Sequence, residues 1–292
     1  MKLSIISLNY KKPDLTIACI KSLLKVYGKY FEEKQWEYIV VDNNSEDDSA
    51  LKIKKEIEGK EGLHFLQNPK NSGFGAGNNL GAQKAKGEYI LFLNNDTTIQ
   101  GQGIKDMLLY MQEHPEIPIL GGELKNENGT PQVSSGKFYT ILSFTFLLLG
   151  MQKFGLVDKN PTKITRVDWV KGALLMIRKH VFEKLGGFDE NIFMYTEDME
   201  LCYRAAKMGY FSYFFPTDGI LHKDQGSSNR TFAVVNIYKN MLYFYKKHRP
   251  FWEYFIVKSL LQTKAIILIL YGKLFKKEYF VVTYEKALEM VR

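Results

Sequence analysis

Cysteine is scarce in this chain: its 292 residues include only Cys19 and Cys202. Both lie in apolar, helix-like patterns far apart in sequence, so no disulfide framework is expected and the two read as buried thiols of a reducing compartment. Long apolar runs are missing too. No stretch reaches the roughly 18 uninterrupted apolar residues that mark a spanning helix. The opening MKLSIISLNY is too short an apolar segment for a signal peptide before Lys11, Lys12 and Pro13 interrupt it. A chain at home in the cytosol or on a membrane face is therefore expected. Internal repeats and low-complexity tracts are also absent. Disorder is excluded by composition, since 45% hydrophobic and 14% aromatic residues can build a sizeable core. The length suits one large domain, or a domain of about 220 residues with an appendage.

Net charge is lacking over most of the chain and concentrated at its end. The whole carries +8, and residues 230–292 hold 12 Lys/Arg against 4 Asp/Glu, which leaves the first 229 residues neutral. The basic residues of the tail are interleaved with long apolar stretches rather than with Gly or Ser, and no nucleic-acid-binding motif accompanies them. That combination points to an anionic membrane surface and away from nucleic acid. Packing on the rest of the chain or on a second subunit, as in a homodimer, would also account for the apolar residues.

The first 120 residues alternate strand and helix signals. Strands are expected at Leu3–Asn9, at 38–42 (YIVVD), at Leu63–Gln67 and at Tyr89–Leu93. Helices are expected from Pro13, near 49–58, over 76–85 and over 104–114. Alternation of this kind implies an α/β fold with a parallel, doubly wound sheet, whose ligand crevice lies at the carboxyl ends of its strands. Those ends read Asn9, Asp42-Asn43-Asn44 and Asn94-Asn95-Asp96. Asn and Asp also suit ordinary turns, but three polar ends on one sheet edge suggest a site.

Beyond residue 120 the pattern is less regular. An apolar run over 138–151 reads as core by default, with an acceptor-facing lid or a membrane-dipping element as the alternatives. A strand, Gly172 and a second strand are expected over 167–178, followed by a short helix over 180–185 and a strand over 211–215. His222 is expected in a loop, and helical patterns fill the tail from Arg230.

Four features carry chemistry. Glu197-Asp198 opens a helix expected over 199–208; an acidic first turn explains such a pair, and so does a general base at the lip of a pocket. The segment NSGFGAGNN, from Asn71 to Asn79, is a flexible turn or a close-approach loop for an anion, but it is neither a GxxxxGK[ST] nor a GxGxxG motif. Asp96 is a turn residue or a hard oxygen ligand for a divalent cation. His222, in GILHKDQGSS, is a structural histidine or a further contact to metal or phosphate.

With these residues in place, the chain resembles family-2 glycosyltransferases with the GT-A fold, and among them the bacterial rhamnosyltransferase-like branch. The resemblance spans about residues 2–250 and rests on five motifs in order: SIISLNY, IVVDNNS, NSGFGAGNNLGAQKAKGEYILFLNNDT, WVKGALLMIRKHVFEKLGGFDENIFMYTEDMELCYRAAKMGY and LHKDQGSS. It implies a mostly parallel Rossmann-like sheet flanked by helices: a catalytic domain over 1–229, with a nucleotide-sugar half to about 120 and an acceptor half beyond, and a helical extension over 230–292. It implies transfer of a sugar, with inversion, from a dTDP-rhamnose or UDP-hexose donor to a glycan or lipid-linked acceptor. Asn9, Asp42, Asn71, Asn79, Asn94 and Asn95 would bind the nucleotide-sugar. Asp96, with His222, would hold Mg²⁺ or Mn²⁺, in the place of the family's Asp-x-Asp motif, from which Asn94 departs. Trp169 and Gly172 would border the acceptor, Asp198 would be the catalytic base, and Glu197 would orient it. A sugar-1-phosphate nucleotidyltransferase would need a Gly-rich signature after the first strand, which SLNYKKPD lacks. A nucleotide-sugar-binding protein without full activity on the same scaffold is the other alternative, against which the intact Asp42, Asp96 and Asp198 argue.

Overall fold

The computed structural model describes residues 1–150, 160–223 and 229–292. Leu3–Asn9 forms β1 and Pro13–Glu32 forms α1; Trp36–Asp42 is β2, Ser49–Ile57 α2, Leu63–Gln67 β3, Gly73–Lys84 α3 and Tyr89–Leu93 β4. Thr97–Ile99 is β5, Gly103–Glu113 α4 and Ile119–Gly122 β6, and Leu124–Lys125, Pro131–Gln132 and Ser135–Gly136 are the short β7, β8 and β9. Ile141–Leu148 is α5. Thr165–Val167, Trp169–Val170 and Leu174–Arg178 are β10, β11 and β12, followed by α6 (Lys179–Lys184) and α7 (Glu197–Lys207). The chain continues through β13 (Ser212–Phe215), β14 (Ile220–His222), α8 (Arg230–His248), α9 (Phe251–Leu274) and α10 (Glu278–Glu289).

Two compact units result. The first comprises described residues 1–137, 160–193 and 197–223, and the second residues 138–150, 194–196 and 229–292. In the first unit an eight-stranded sheet runs in the order β10-β13-β6-β12-β4-β1-β2-β3. Strands β1, β2, β3 and β4 pair in parallel, as the mostly apolar and buried β1, β2 and β4 lead one to expect. Strand β12 departs from a purely parallel sheet, since it pairs antiparallel with both β4 and β6. An antiparallel strand begins where its neighbour ends, so Leu174 lies opposite Leu93. The start of β12 is thereby delivered to the same sheet edge as Asn94–Asp96. Helix α3 lies close on β1: a methyl group at Gly77 would come within 2.4 Å of Leu8 Cδ1. Glycine permits that approach, and the helix begins at Gly73, inside the segment read from sequence as a turn.

Two further expectations are corrected. His222 lies in β14, paired with β5, and not in a loop. The apolar run over 138–151 is not core throughout, because Phe144 of α5 is buried whereas Leu142 of α5 and Leu149 just after it are exposed; Met151 lies outside the described residues.

In the second unit Asn240 of α8 donates to the carbonyls of Met194 (2.8 Å) and Tyr195 (3.0 Å), and Tyr245 donates to the Tyr139 carbonyl at 3.0 Å. Helix α9 buries Val257, Leu261, Ala265 and Ile269 and leaves Phe251, Trp252, Ile267, Leu270 and Leu274 exposed. It is apolar on both faces. Its 24 residues are long and apolar enough to cross a membrane, although lysines interrupt the run that the sequence criterion required. By length and composition α9 thus corrects the expectation that the chain holds no such helix.

Candidate active site

The polar strand ends of the first unit form one connected network. Asp42, at the end of β2, is 1% exposed. Its Oδ1 accepts from Asn9 Nδ2 at 2.7 Å and from Ser45 Oγ at 2.5 Å, and its Oδ2 from Ser45 N–H at 3.0 Å and Gln67 Nε2 at 2.8 Å. Asn9 in turn accepts from Thr16 Oγ1 (2.8 Å), and Thr16 accepts from Asn95 Nδ2 (2.9 Å). Asn9 and Asn95 therefore serve a buried scaffold that joins β1, β2, α1 and the end of β4. Buried polar groups are retained where each is satisfied in this way.

Asn71 and Asn79 hold turns. Asn71 Oδ1 accepts from Asn43 Nδ2 (2.8 Å) and from the Gly73 amide (3.2 Å), while the Phe74 amide donates to the Phe193 carbonyl at 2.7 Å. Two amides at the start of α3 are thus engaged internally, which narrows the sequence reading of that terminus as an anion cradle. Asn79 donates to the Phe188 carbonyl and to Glu190 Oε1, each at 3.0 Å, and accepts from the Phe188 amide at 2.9 Å. Its amide is spent within the protein, so the structure gives it a clasp where the sequence suggested a nucleotide contact.

Asp96 and His222 meet. His222 Nε2 lies 3.2 Å from Asp96 Oδ1 and 3.2 Å from Asn94 Nδ2. The ring is oriented from behind by Gln132, whose Oε1 lies 2.8 Å from His222 Nδ1 and whose Nε2 donates to the His222 carbonyl (2.7 Å). With its own NH₂ committed there, Gln132 presents an acceptor, so Nδ1 carries the ring proton and Nε2 faces Asp96 with a lone pair. A carboxylate oxygen and an imidazole lone pair at this distance call for a cation between them: a second ring proton or a metal ion. With the ring doubly protonated, burial raises the Asp96 pKa, but the hydrogen bond and charge of His222 outweigh it and hold the carboxyl below 3.8. Among the described residues no third His, Cys, Asp or Glu completes a metal cluster. A two-ligand set fits Mg²⁺ or Mn²⁺ of the kind held by one or two protein groups together with substrate phosphates.

Asp198 lies in the first turn of α7, which begins two residues before the helix start expected from sequence. Its Oδ2 accepts from the Gly172 amide at 2.9 Å and its Oδ1 from the Met199 amide at 2.8 Å. A methyl group built on Gly172 would lie 3.4 Å from Phe74 Cε1 and 3.5 Å from Asp198 Cβ, so Phe74 and Asp198 both border Gly172. Trp169, three residues earlier in β11, donates from Nε1 to the Lys137 carbonyl at 3.2 Å. The Asn94 amide donates to the Ala173 carbonyl at 3.0 Å, which ties the Asp96 side of the edge to the Gly172–Asp198 side.

The carboxylate pair is unequal. Glu197 is buried, and no donor among the described residues faces its Oε2. Burial, then the charge of Asp198, lifts its pKa well above 4.5. Burial also raises Asp198, but the Gly172 and Met199 amides and the Lys171 charge act in the opposite sense. Asp198 is the first of the two to ionise, and Glu197 keeps its proton. Tyr195 and Thr196, directly before the pair, hold φ of +70° and +78°, a left-handed conformation that non-glycine residues adopt at a cost. Sequence reasoning missed Gln132, Phe74 and this turn.

A raised carboxyl pKa destabilises the fold at neutral pH. Stability is full below the unfolded value of 4.5 and falls as pH rises from there toward the folded value. Replacing Glu197 by Gln is expected to raise stability by about 1 kcal/mol near pH 7, which for a chain of this size moves the melting temperature upward by roughly 2–4 °C. It should also flatten the pH dependence above 4.5. Thermal melts at several pH values check this; a lower melting temperature at every pH would contradict it.

Residues 4–185 match the family described as Glycosyl transferase family 2. Among curated relatives, a low-salt glycan biosynthesis hexosyltransferase of Haloferax volcanii is 28% identical over 212 residues, covering 70% of this chain and 62% of its own length. Rhamnosyltransferase WbbL of Escherichia coli is 26% identical over 215 residues, covering 70% of this chain and 78% of its own. Among solved structures, a mannosyltransferase from Pyrobaculum calidifontis in complex with GDP-Man and Mn²⁺ superposes with a TM-score of 0.59 at 13% identity, over 99% of this chain and 85% of that one. The likeness establishes the GT-A form of the α/β fold. With its family match spanning most of the sheet described above, the chain belongs to glycosyltransferase family 2.

Proposed function

We propose that this protein transfers a hexosyl or rhamnosyl residue from a nucleotide-sugar to a hydroxyl of a glycan or lipid-linked acceptor, with inversion at the anomeric carbon. The observation that carries the reading is Asp198: a carboxylate at the sheet edge, held by two backbone amides and beside the buried Glu197. Asp198 takes the acceptor hydroxyl proton as that oxygen attacks the anomeric carbon. The bond from that carbon to the nucleotide diphosphate breaks on the opposite face, so the configuration inverts. The amides of Gly172 and Met199 fix the carboxylate. Glu197, kept neutral, leaves Asp198 the single negative charge of the pair. Asp42 and its network, with Asn71 and Asn94, are assigned to the nucleotide-sugar side. Asp96 and His222 would hold Mg²⁺ or Mn²⁺, which when bound supplies positive charge to the departing diphosphate. The hexosyl- and rhamnosyltransferase activities of the relatives and the Mn²⁺ complex of the mannosyltransferase support this reading. Incubating the protein with UDP-, dTDP- and GDP-sugars, with and without Mn²⁺, tests it. Donor-dependent thermal stabilisation and slow release of free nucleotide are expected; no response to any donor would overturn the proposal.

The tail is assigned to the cytoplasmic membrane surface, where a lipid-linked acceptor would lie. Its excess of basic residues accompanies an exposed apolar face of α9. Each basic residue near an anionic surface contributes about 1 kcal/mol, screened by salt. Flotation with vesicles rich in anionic lipid is expected to carry the protein upward at low salt and to lose it at high salt. A protein that stays at the bottom of the gradient in both contradicts the assignment.

A further inference from the structure

The four donors on Asp42 are not alike. The side chain of Asn9 and the amide and hydroxyl of Ser45 belong to buried residues fixed at the ends of β1 and β2. The fourth donor, Gln67 Nε2 at 2.8 Å from Oδ2, comes from an exposed side chain at the end of β3, directly opposite Asp42 in the parallel ladder. A carboxylate has about four acceptor positions, so all of them are filled, and the residue is 1% exposed. A ligand N–H or O–H can reach Asp42 only where a donor leaves, and only Gln67 can leave without breaking the buried scaffold.

We propose that Gln67 is a displaceable cap on Asp42, a specificity-setting residue whose amide holds the place that a nucleoside N–H or O–H takes when a nucleoside diphosphate binds. The inference rests on the assignment of Asp42 to the nucleotide-sugar side. Because the ligand must replace an existing charge-assisted hydrogen bond, the cap lowers affinity for every nucleotide and rejects those whose base or ribose presents no donor at that point. Sugars and phosphates that lack a nucleoside never meet the cap.

The test uses the full chain, with UDP and inorganic pyrophosphate as probes in the presence of Mg²⁺, measured by calorimetry. Gln67→Met keeps the length of the side chain and removes its donor, and at an exposed position it leaves the fold intact. It is expected to tighten UDP binding by about three- to tenfold and to leave pyrophosphate binding unchanged. An unchanged or weaker affinity for UDP in Gln67→Met overturns the cap. An equal gain for pyrophosphate also overturns it, since that gain would not involve a nucleoside. In the wild-type protein UDP is expected to bind more tightly than pyrophosphate. If it does not, the assignment of a nucleoside to Asp42 fails, and that failure is distinct from failure of the cap alone.

Discussion

Replacing Asp198 by Asn is expected to leave donor binding unchanged and to lower kcat by about 10²–10⁴-fold, the usual worth of general-base assistance. The substitution keeps an oxygen to accept one backbone amide and replaces the other carboxylate oxygen with an NH₂ that cannot take a proton. One of the two bonds from Gly172 and Met199 is lost, so a modest loss of stability accompanies the loss of rate. Initial rates against acceptor, with nucleotide titrations on the same sample, separate the two effects. Turnover within a few-fold of wild type would remove Asp198 from the mechanism. The pH profile gives an independent readout. A base works ionised, so the rate falls as pH drops through the Asp198 pKa, which burial places above 3.8. Lys171 holds that value down, so Lys171→Met is expected to move the acid limb to higher pH. Glu197→Gln is expected to leave it in place, because Glu197 is already neutral where Asp198 ionises.

Much of this arrangement is legible in the sequence, because the parallel half of the sheet is built from uninterrupted apolar runs. Short runs of this kind alternating with helical segments read as strands covered on both faces, so Asn9, Asp42 and Asn94 fall at one edge by the geometry of the fold. Strand β12 is different. Its residues LLMIR carry no mark of direction, and the antiparallel pairing that brings Gly172 and Asp198 beside Asn94 depends on contacts to both neighbours at once. Gln132 was illegible for a related reason. It orients His222 across 90 positions of sequence, and nothing local to either residue announces the partnership. The role of individual amides was also hidden. Asn79 and Asn95 have the composition of ligand-binding residues, yet their hydrogen bonds go to the Phe188 loop and to Thr16. Sequence identifies a polar residue near a site, whereas the number of its partners decides whether it is available to a ligand. The same count turns Asp42 from an open acceptor into a capped one.

Asp96 carries the second large effect. Replacing it by Ala is expected to abolish the Mn²⁺-dependent part of donor binding and to lower turnover by about 10²-fold or more, as loss of several kcal/mol of charge stabilisation at a leaving phosphate requires. Nucleotide titrations with and without Mn²⁺ read this directly: wild type should tighten with the ion, and the variant should bind equally in both. The structural consequence separates a metal role from a purely structural ion pair. With His222 doubly protonated, its hydrogen bond and charge outweigh burial and hold the Asp96 pKa below 3.8, so a structural ion pair would stabilise the fold above that pH and its contribution would be lost as pH falls through the lowered value. If the pair were only structural, Asp96→Ala would destabilise the protein and leave the difference between the two titrations intact. If the site takes the ion, removing the carboxylate also relieves the demand for a cation between Asp96 Oδ1 and His222 Nε2. The variant should then lose its response to Mn²⁺ while a melt without the ion shifts little. Gln132→Leu supplies the companion measurement. It removes the acceptor that fixes the His222 tautomer, keeps Asp96 in place, and should weaken the Mn²⁺ response by about 10- to 100-fold, the range for partners that orient a ligating histidine. An Mn²⁺ response unchanged in both variants would place the ion elsewhere and leave Asp96 and His222 as a structural pair.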